Sequence, residues 1–293
     1  MLTNDDRYPY LSRVALDLGI PAESLARAFE VEREFHERVL AEVDPGKRKI
    51  MYREVYETVH PIYGTKPSDP GAENPKDSVV RMFSKELAGK SILEVGCGTG
   101  LFLQGVARLL PHKELVGLDT SAPVLPAARE SVSFLQADVI DFTMPRKFDV
   151  VFSEHVIEHI APADLPAHLD SITNALAEDG VLIVCAPNNR FGPSDVTRII
   201  DRSHRGRTVA QGTHLHEPTH GELMEQLKLH GFSRFRTIFP LMKLRNRLPF
   251  VRFNARLMAY LERNPLVMGL LHALRFRGRC IARFDTVLIC SRS

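Results

Sequence analysis

The sequence predicts an α/β protein built on a mostly parallel sheet, with a helical extension ahead of the sheet and a basic helical insertion before its last strand. Three observations carry this expectation. Short apolar runs alternate with helical segments beyond residue 78. The first 77 residues show helical spacing that ends in a Pro-rich stretch. From Lys243 to Arg283, ten basic residues stand against one acid, Glu262.

Residues 22–43 place Leu25, Phe29, Phe35 and Val39 at roughly helical spacing among Glu and Arg, which predicts an amphipathic helix. A second helix is expected after Asp44-Pro45-Gly46, ending near Tyr63-Gly64. TKPSDPGAENPKD, with three prolines, predicts a loop and a domain boundary near Asp77. Beyond it, SILEVG, ELVGLD, VSFLQAD, FDVVFS, GVLIVCAP, FRTIFP and DTVLICS predict seven strands bounded by Gly, Asp, Pro or Ser. Strands alternating with helices imply β-α-β units. The expected organisation is a helical extension or lid over 1–77, a sheet domain over 78–240 plus 284–293, and a basic amphipathic insertion over 241–283.

Composition narrows the function. With 293 residues, 44% hydrophobic and 25% charged, the chain has ordinary globular usage, which excludes a disordered or coiled-coil protein. MLTNDDRYPY lacks the basic and apolar regions of a signal peptide, and no apolar run is long enough to span a bilayer, so a cytoplasmic location is expected. Cys97, Cys185, Cys280 and Cys290 form no C-x-x-C pair, which argues against a thiolate zinc site or a disulfide scaffold. No RNA-binding module or aromatic stacking platform is present, so the expected partner is a small molecule and not a nucleic acid.

In SILEVGCGTGLF an apolar strand runs into Gly96-Cys97-Gly98-Thr99-Gly100 and then into a helix. Such a turn brings backbone close to a ligand and aims helix N-terminal N–H groups at it. Leu101 occupies the third-glycine position of the dinucleotide fingerprint, which weakens a nicotinamide reading. G-x-G-x-G preceded by Glu94 resembles motif I of the class I S-adenosylmethionine-dependent methyltransferases. LVGLDTS, FLQADVIDF, FDVVFSEHVIEHI and LAEDGVLIVCAPN follow in that family's order, so the resemblance covers residues 78–240 and the final strand.

That resemblance implies a Rossmann-like, doubly wound, seven-stranded sheet whose last strand is antiparallel. It implies cofactor contacts at Glu94, Gly96, Cys97, Gly98 and Gly100, a ribose contact at Asp119 with Thr120 beside it, an adenine contact at Asp138 with Val139, and a contact at Ser153. Taken singly, each residue has a simpler role: Glu94 or Asp119 as a solvated strand end, and Asp138 or Asp141 as a helix cap.

His155, Glu158 and His159 form H-x-x-E-H, the zinc signature of one protease class, but here it follows a strand facing the expected cofactor cleft. The segment is similar to the E-x-x-E-H of the ubiquinone-pathway O-methyltransferases and small-RNA 2′-O-methyltransferases, which implies a metal beside an acceptor hydroxyl. It departs from them in having His155 where their first Glu stands. His214, in GTHLHEPTHGELMEQL, falls where the RNA enzymes place a metal-binding His. A set of His155, Glu158, His159 and His214 is rich in imidazole and suits zinc, iron or manganese better than magnesium. The alternative is that His155 and His159 cap and pack a helix, while His216 or His220 hydrogen-bonds backbone.

Two mechanisms follow: a metal lowers the pKa of a bound hydroxyl, or a neutral imidazole of His159, His214 or His155 acts as base. The expected activity is O-methylation of a small hydroxylated molecule such as a sugar or lipid-linked intermediate. N-methylation and a catalytically silent binding module are the competing readings. The basic insertion is open to three roles: a cap over an anionic or lipid-like substrate, a helix on the inner membrane surface, or a solvent-facing hairpin.

Overall fold

The computed structural model describes residues 7–63, 74–121, 132–240, 249–276 and 279–292. Most of the expected Pro-rich loop, and Lys243, Arg245, Arg247 and Arg277, lie outside them. The chain divides into two compact units. One comprises Met1–Pro70, Glu158–Pro162 and Pro187–Glu217, and the other Gly71–Ile157, Ala163–Ala186 and Pro218–Ser293.

The first unit holds α1 (Leu11–Leu18), α2 (Ala22–Ala41) and α3 (Pro45–Tyr63), with short 3-10 turns at Asn189–Phe191 and Val196–Ile199. Helices α2 and α3 stand where the apolar spacing placed them, whereas α1 was not anticipated. Gly19 ends α1 at φ 73°, the left-handed conformation that suits glycine, and returns its N–H to the Ala15 carbonyl at 2.8 Å. Leu11, Val14, Leu25 and Phe29 pack with Val196 and Ile199, and Phe35, Val39, Val55 and Val59 with Ala161 and Leu215.

The second unit holds β1 (Lys90–Val95), β2 (His112–Asp119), β3 (Ser133–Gln136), β4 (Phe148–Glu154), β5 (Leu176–Ala186), β6 (Arg234–Ile238) and β7 (Arg252–Asn254). A separate hairpin, β8 (Arg275–Phe276) and β9 (Arg279–Cys280), precedes β10 (Thr286–Ser291). The main sheet runs β3-β2-β1-β4-β5-β10-β6-β7, parallel from β3 to β5, with β10 antiparallel to both β5 and β6. All seven expected strands are present.

Strand side chains alternate between two cores, as a two-residue period requires. Leu93, Val95, Val151, Leu182 and Val184 face one core, and Ile92, Val150, Phe152, Ile183 and Cys185 the other. Helices cover both faces, which explains the nearly unbroken apolar runs. On one side lie α4 (Asp77–Met82), α5 (Ser84–Leu87) and α6 (Leu101–Leu109), through Val80, Phe83, Leu87, Phe102 and Leu103. On the other lie α7 (Leu165–Ala175) and α8 (His220–Leu229), through Leu169, Ile172, Leu223 and Leu227. Phe102, in the first turn of α6, stacks on Phe152 at 3.9 Å and 8°, which fixes the helix over β4.

The structure corrects three sequence expectations. The insertion is not wholly helical: α9 (Ala255–Arg263) and α10 (Pro265–Ala273) are flanked by the β8–β9 hairpin and by β7, an eighth strand antiparallel to β6. Without β7, β6 would present an unpaired edge. Where the resemblance to the methyltransferase family implies a helix directly after the fourth strand, V-I-E-H forms a single 3-10 turn, Ile157–His159. Pro162 disfavours helical backbone at Ala161, so α7 starts only at Leu165. Arg252, one of the ten basic residues of the segment, does not face solvent: its side chain is 6% exposed, with Nε and Nη2 donating to the two Glu86 carboxylate oxygens at 2.9 and 2.7 Å.

Candidate functional site

In the second unit, β1 delivers the glycine loop to the C-terminal edge of the parallel strands. Gly96, Gly98 and Gly100 have φ of 75°, 49° and 79°, backbone that L side chains rarely adopt. A Cβ on Gly96 would sit 2.3 Å from Val156 Cγ2, whereas one on Gly98 would meet nothing within 4 Å. The loop is thus closed below Gly96 and open above Gly98, where a ligand can reach backbone. Gly96 and Cys97 N–H donate to the Leu118 carbonyl at 2.8 and 3.1 Å, tying the loop to β2.

Asp119 ends β2 beside that loop. One carboxylate oxygen accepts the Gly98 N–H at 2.7 Å, and the other accepts Ser121 N–H and Oγ at 2.9 and 3.0 Å. The Thr120 carbonyl accepts from Gln136 Nε2 at 3.1 Å. Glu94 is buried, and its Oε2 lacks a hydrogen-bond partner among the described residues. Burial, followed by the Glu154 charge, pushes its carboxyl well above the ordinary range, while Lys76 opposes the shift. Lys76 itself donates to Glu154 at 2.8 Å. A buried carboxyl oxygen with no partner is what the ammonium group of an amino-acid-bearing cofactor would satisfy, so these residues fit S-adenosylmethionine. Ser153 is buried with its hydroxyl likewise lacking a partner among the described residues. Burial, with Glu94 and Asp119 adding to it, raises the Cys97 thiol pKa, so this residue serves as packing and backbone rather than as a thiolate.

The loop after β3 is fastened by α7. Asp138 Oδ1 accepts the Ile140 N–H at 2.9 Å, and His168 Nδ1 lies 2.7 Å from the Val139 carbonyl. Ser171 Oγ accepts the Phe142 N–H at 3.2 Å and donates to the Ile140 carbonyl at 3.3 Å. His168 and Ser171 were not singled out in the sequence. Their signal was present, since they are two polar residues at i and i+3 on an otherwise apolar helix face.

In the first unit, Glu158, His159 and His214 come together, with one potential ligand atom from each within 4.8 Å of the others. The imidazoles meet edge to face at 4.8 Å. His159 Nδ1 lies 3.1 Å from the Thr213 carbonyl and His214 Nδ1 lies 2.8 Å from Glu217 Oε1. Both Nδ1 edges are thereby engaged, so Nε2 is the ring nitrogen through which either histidine could meet a metal. One carboxylate and two imidazoles fit a divalent metal with open positions. Burial works against charge on His214, but the Glu217 hydrogen bond and the charges of Asp195, Glu158 and Glu217 outweigh it, and its pKa is raised.

The loop carrying His214 is held by buried acids that the sequence analysis passed over. Glu32 Oε2 accepts the Thr213 N–H at 3.0 Å, Tyr63 donates to Glu32 Oε1, and Asp195 Oδ2 accepts the Gly212 N–H at 2.7 Å. Burial raises the Glu32 pKa to about 7, and the Asp195 charge adds to the shift against the Tyr63 and Thr213 hydrogen bonds. Glu32 was detectable as an acid inside the apolar stripe of α2, between Phe29 and Phe35. His155 belongs to the second unit. Its φ is 57° and its N–H donates to the Cys185 carbonyl at 2.9 Å, so it terminates β4 in strained backbone.

A family model described as a methyltransferase domain matches residues 71–234, more than half of the chain. A trans-aconitate 2-methyltransferase from Afipia carboxidovorans is 32% identical over 114 residues, covering 37% of this chain and 43% of that protein. A ubiquinone biosynthesis O-methyltransferase from Rhodopseudomonas palustris is 30% identical over 173 residues, covering 54% of this chain and 66% of that protein. The match thus spans less than two thirds of the length of these relatives. A solved S-adenosylmethionine-dependent methyltransferase from Archaeoglobus fulgidus is similar at a TM-score of 0.49 and 18% identity, over 75% of this chain and 94% of that one. The glycine loop, the strand order and the family match agree: the chain belongs to the class I S-adenosylmethionine-dependent methyltransferases.

Proposed function

We propose that this protein transfers a methyl group from S-adenosylmethionine to a hydroxyl of a small molecule, with a divalent metal held by Glu158, His159 and His214. The observation that carries the O-methylation reading is that group of three, whose Nδ1 edges are both engaged by backbone or carboxylate. Support for the cofactor comes from the open space above Gly98 and the unpartnered Glu94 oxygen.

Methyl transfer from a sulfonium is an in-line displacement, so the protein's main contribution is alignment, worth up to about 7–11 kcal/mol in well-oriented systems. A hydroxyl acceptor must also lose its proton. A bound metal would supply that acidity by stabilising the alkoxide. Glu158 contributes the only carboxylate of the group, while Glu217 and the Thr213 carbonyl fix the histidine rings, so the donor set keeps its orientation between turnovers. Glu94 and the glycine loop bind the cofactor's amino-acid end, Asp119 its ribose, and the Asp138–Val139 loop its adenine.

The test is calorimetric titration with S-adenosylmethionine and its demethylated product, on protein stripped by chelator and then resupplied with zinc, manganese or magnesium. Bound metal is counted by mass spectrometry, and labelled methyl transfer is followed to a panel of vicinal hydroxyl acceptors. Micromolar cofactor binding, about one retained metal and chelator-sensitive transfer are expected. Absence of cofactor binding overturns the methyltransferase assignment. Full transfer by metal-free His214→Ala protein overturns the metal's role while leaving the methyltransferase intact.

A further inference from the structure

The insertion that builds β7, α9 and α10 leaves an unusual surface. In α10, PLVMGLLHA, only Met268 is buried. Leu266 and Leu270 are 83% and 65% exposed, and Leu274 follows at the same four-residue interval, so the three form one stripe. Ile281, exposed, joins that stripe through its N–H to the Leu274 carbonyl at 3.0 Å. Helix α9 turns Ala255, Met258 and Ala259 inward and presents Leu257 and Tyr260 outward beside exposed Arg256 and Arg263. A run of exposed large apolar side chains across two adjacent helices is the kind of patch that marks a contact site for a protein or a membrane.

Charge identifies the partner. The segment's only acid, Glu262, is buried against His220 Nδ1 at 2.7 Å, so it contributes nothing to the exposed face. What faces outward is leucine, tyrosine and arginine. A second copy of the same face would bring arginines against arginines, which two-fold pairing penalises. An anionic lipid surface instead accepts leucines among the acyl chains, tyrosine at the headgroup level and arginines at the phosphates. Helix α10 has nine residues, and no described helix is long and apolar enough to cross a membrane, so the geometry is that of lying on a bilayer.

We propose that the outer face of α9 and α10, with Leu257, Tyr260, Leu266 and Leu270 as apolar anchors and Arg256 and Arg263 as headgroup contacts, docks this protein on anionic membranes. The inference is independent of the methyl acceptor and of the metal.

The test is flotation of the full chain with vesicles of phosphatidylcholine alone or mixed with phosphatidylglycerol, at low and high salt. Wild type is compared with Leu266→Ser/Leu270→Ser and Arg256→Gln/Arg263→Gln. All four side chains are exposed, so thermal melting and S-adenosylmethionine binding of the variants should match wild type and report intact folding. The expected result is binding to mixed vesicles only, weakened by salt, and reduced about tenfold or more by the leucine pair and several-fold by the arginine pair. No binding to mixed vesicles overturns the proposal, as does equal binding to neutral vesicles that the arginine pair leaves unchanged. Self-association abolished by the leucine pair, without vesicle binding, overturns it in favour of a second copy.

Discussion

His168 offers a quantitative test, because its burial couples protonation to folding and to the loop that carries Asp138. The side chain is fully buried on α7, and burial lowers its pKa from 6.5 to about 4, overcoming the Val139 hydrogen bond and the Asp138 charge. In the native state it is neutral, with the Nδ1–H donating to the Val139 carbonyl at 2.7 Å and Nε2 lacking a partner among the described residues. In the unfolded chain it regains its ordinary pKa. Between pH 6.5 and about 4 the unfolded state therefore binds a proton that the native state refuses, and stability falls as pH falls. At 1.36 kcal/mol per pH unit, the full loss across that window is roughly 3 kcal/mol.

His168→Asn removes the titration and keeps an amide donor for the Val139 carbonyl. The variant loses some packing at every pH, but its stability should fall less than wild type on acidification. Urea unfolding of both proteins at pH 7.5 and pH 4.5, followed by a probe in the sheet unit, gives the difference directly. Wild type should lose roughly 2–3 kcal/mol more than the variant over that interval. S-adenosylmethionine affinity should fall with it, since the same contact holds the loop expected at the adenine. Identical pH slopes would show that His168 is not held neutral, and the reasoning would fail.

Three further outcomes follow from the geometry. Gly96→Ala should destabilise the sheet unit by about 1–3 kcal/mol and weaken S-adenosylmethionine binding, because the new Cβ meets Val156 at 2.3 Å in left-handed backbone; unchanged melting and affinity would contradict it. Glu217→Gln should lower metal affinity by about 10–100-fold, read by competition with a chromogenic chelator, because Glu217 Oε1 orients His214 and accepts the Ser194 N–H at 2.8 Å. For Glu32, whose pKa is raised from 4.5 to about 7, the native state holds a proton that the unfolded state releases, so its contribution is full below pH 4.5 and lost as pH rises through 7. Glu32→Gln should therefore gain roughly 2–3 kcal/mol on wild type between pH 5 and pH 8 in urea unfolding, and no pH-dependent gain would refute the protonated Glu32.

What the sequence disclosed and what it withheld divide by contact range. The strands, the glycine loop and helices α2 and α3 are written in local periodicity and in residues whose backbone demands are intrinsic, so they could be read directly. Strand β7 could not, since Arg252-Phe253-Asn254 looks like its basic, apolar surroundings and becomes a strand only because β6 needs an edge partner. The 3-10 turn at Ile157–His159 was obscured by helix-like V-I-E-H, although Ala161-Pro162 held the stop signal. Arg252 gave no hint of burial because its partner, Glu86, lies 166 positions earlier.

The candidate site follows the same rule, with one instructive exception. His155, Glu158 and His159 read as a single cluster because they are near in sequence, yet His155 falls in the other compact unit at φ 57°, whereas distant His214 joins Glu158 and His159. The residues that hold the set are Glu32, Asp195 and Glu217, from α2 and two loops, and each is an acid buried at a position where local pattern favours an apolar or solvated residue. Burying three acids is costly unless backbone N–H groups or imidazoles repay the lost hydration. Here they accept from Thr213, Gly212, Ser194 and His214, all within or packed against one loop. The cost makes sense if that loop must hold His214 in one fixed orientation, since each acid fastens a backbone N–H or the ring of His214 itself.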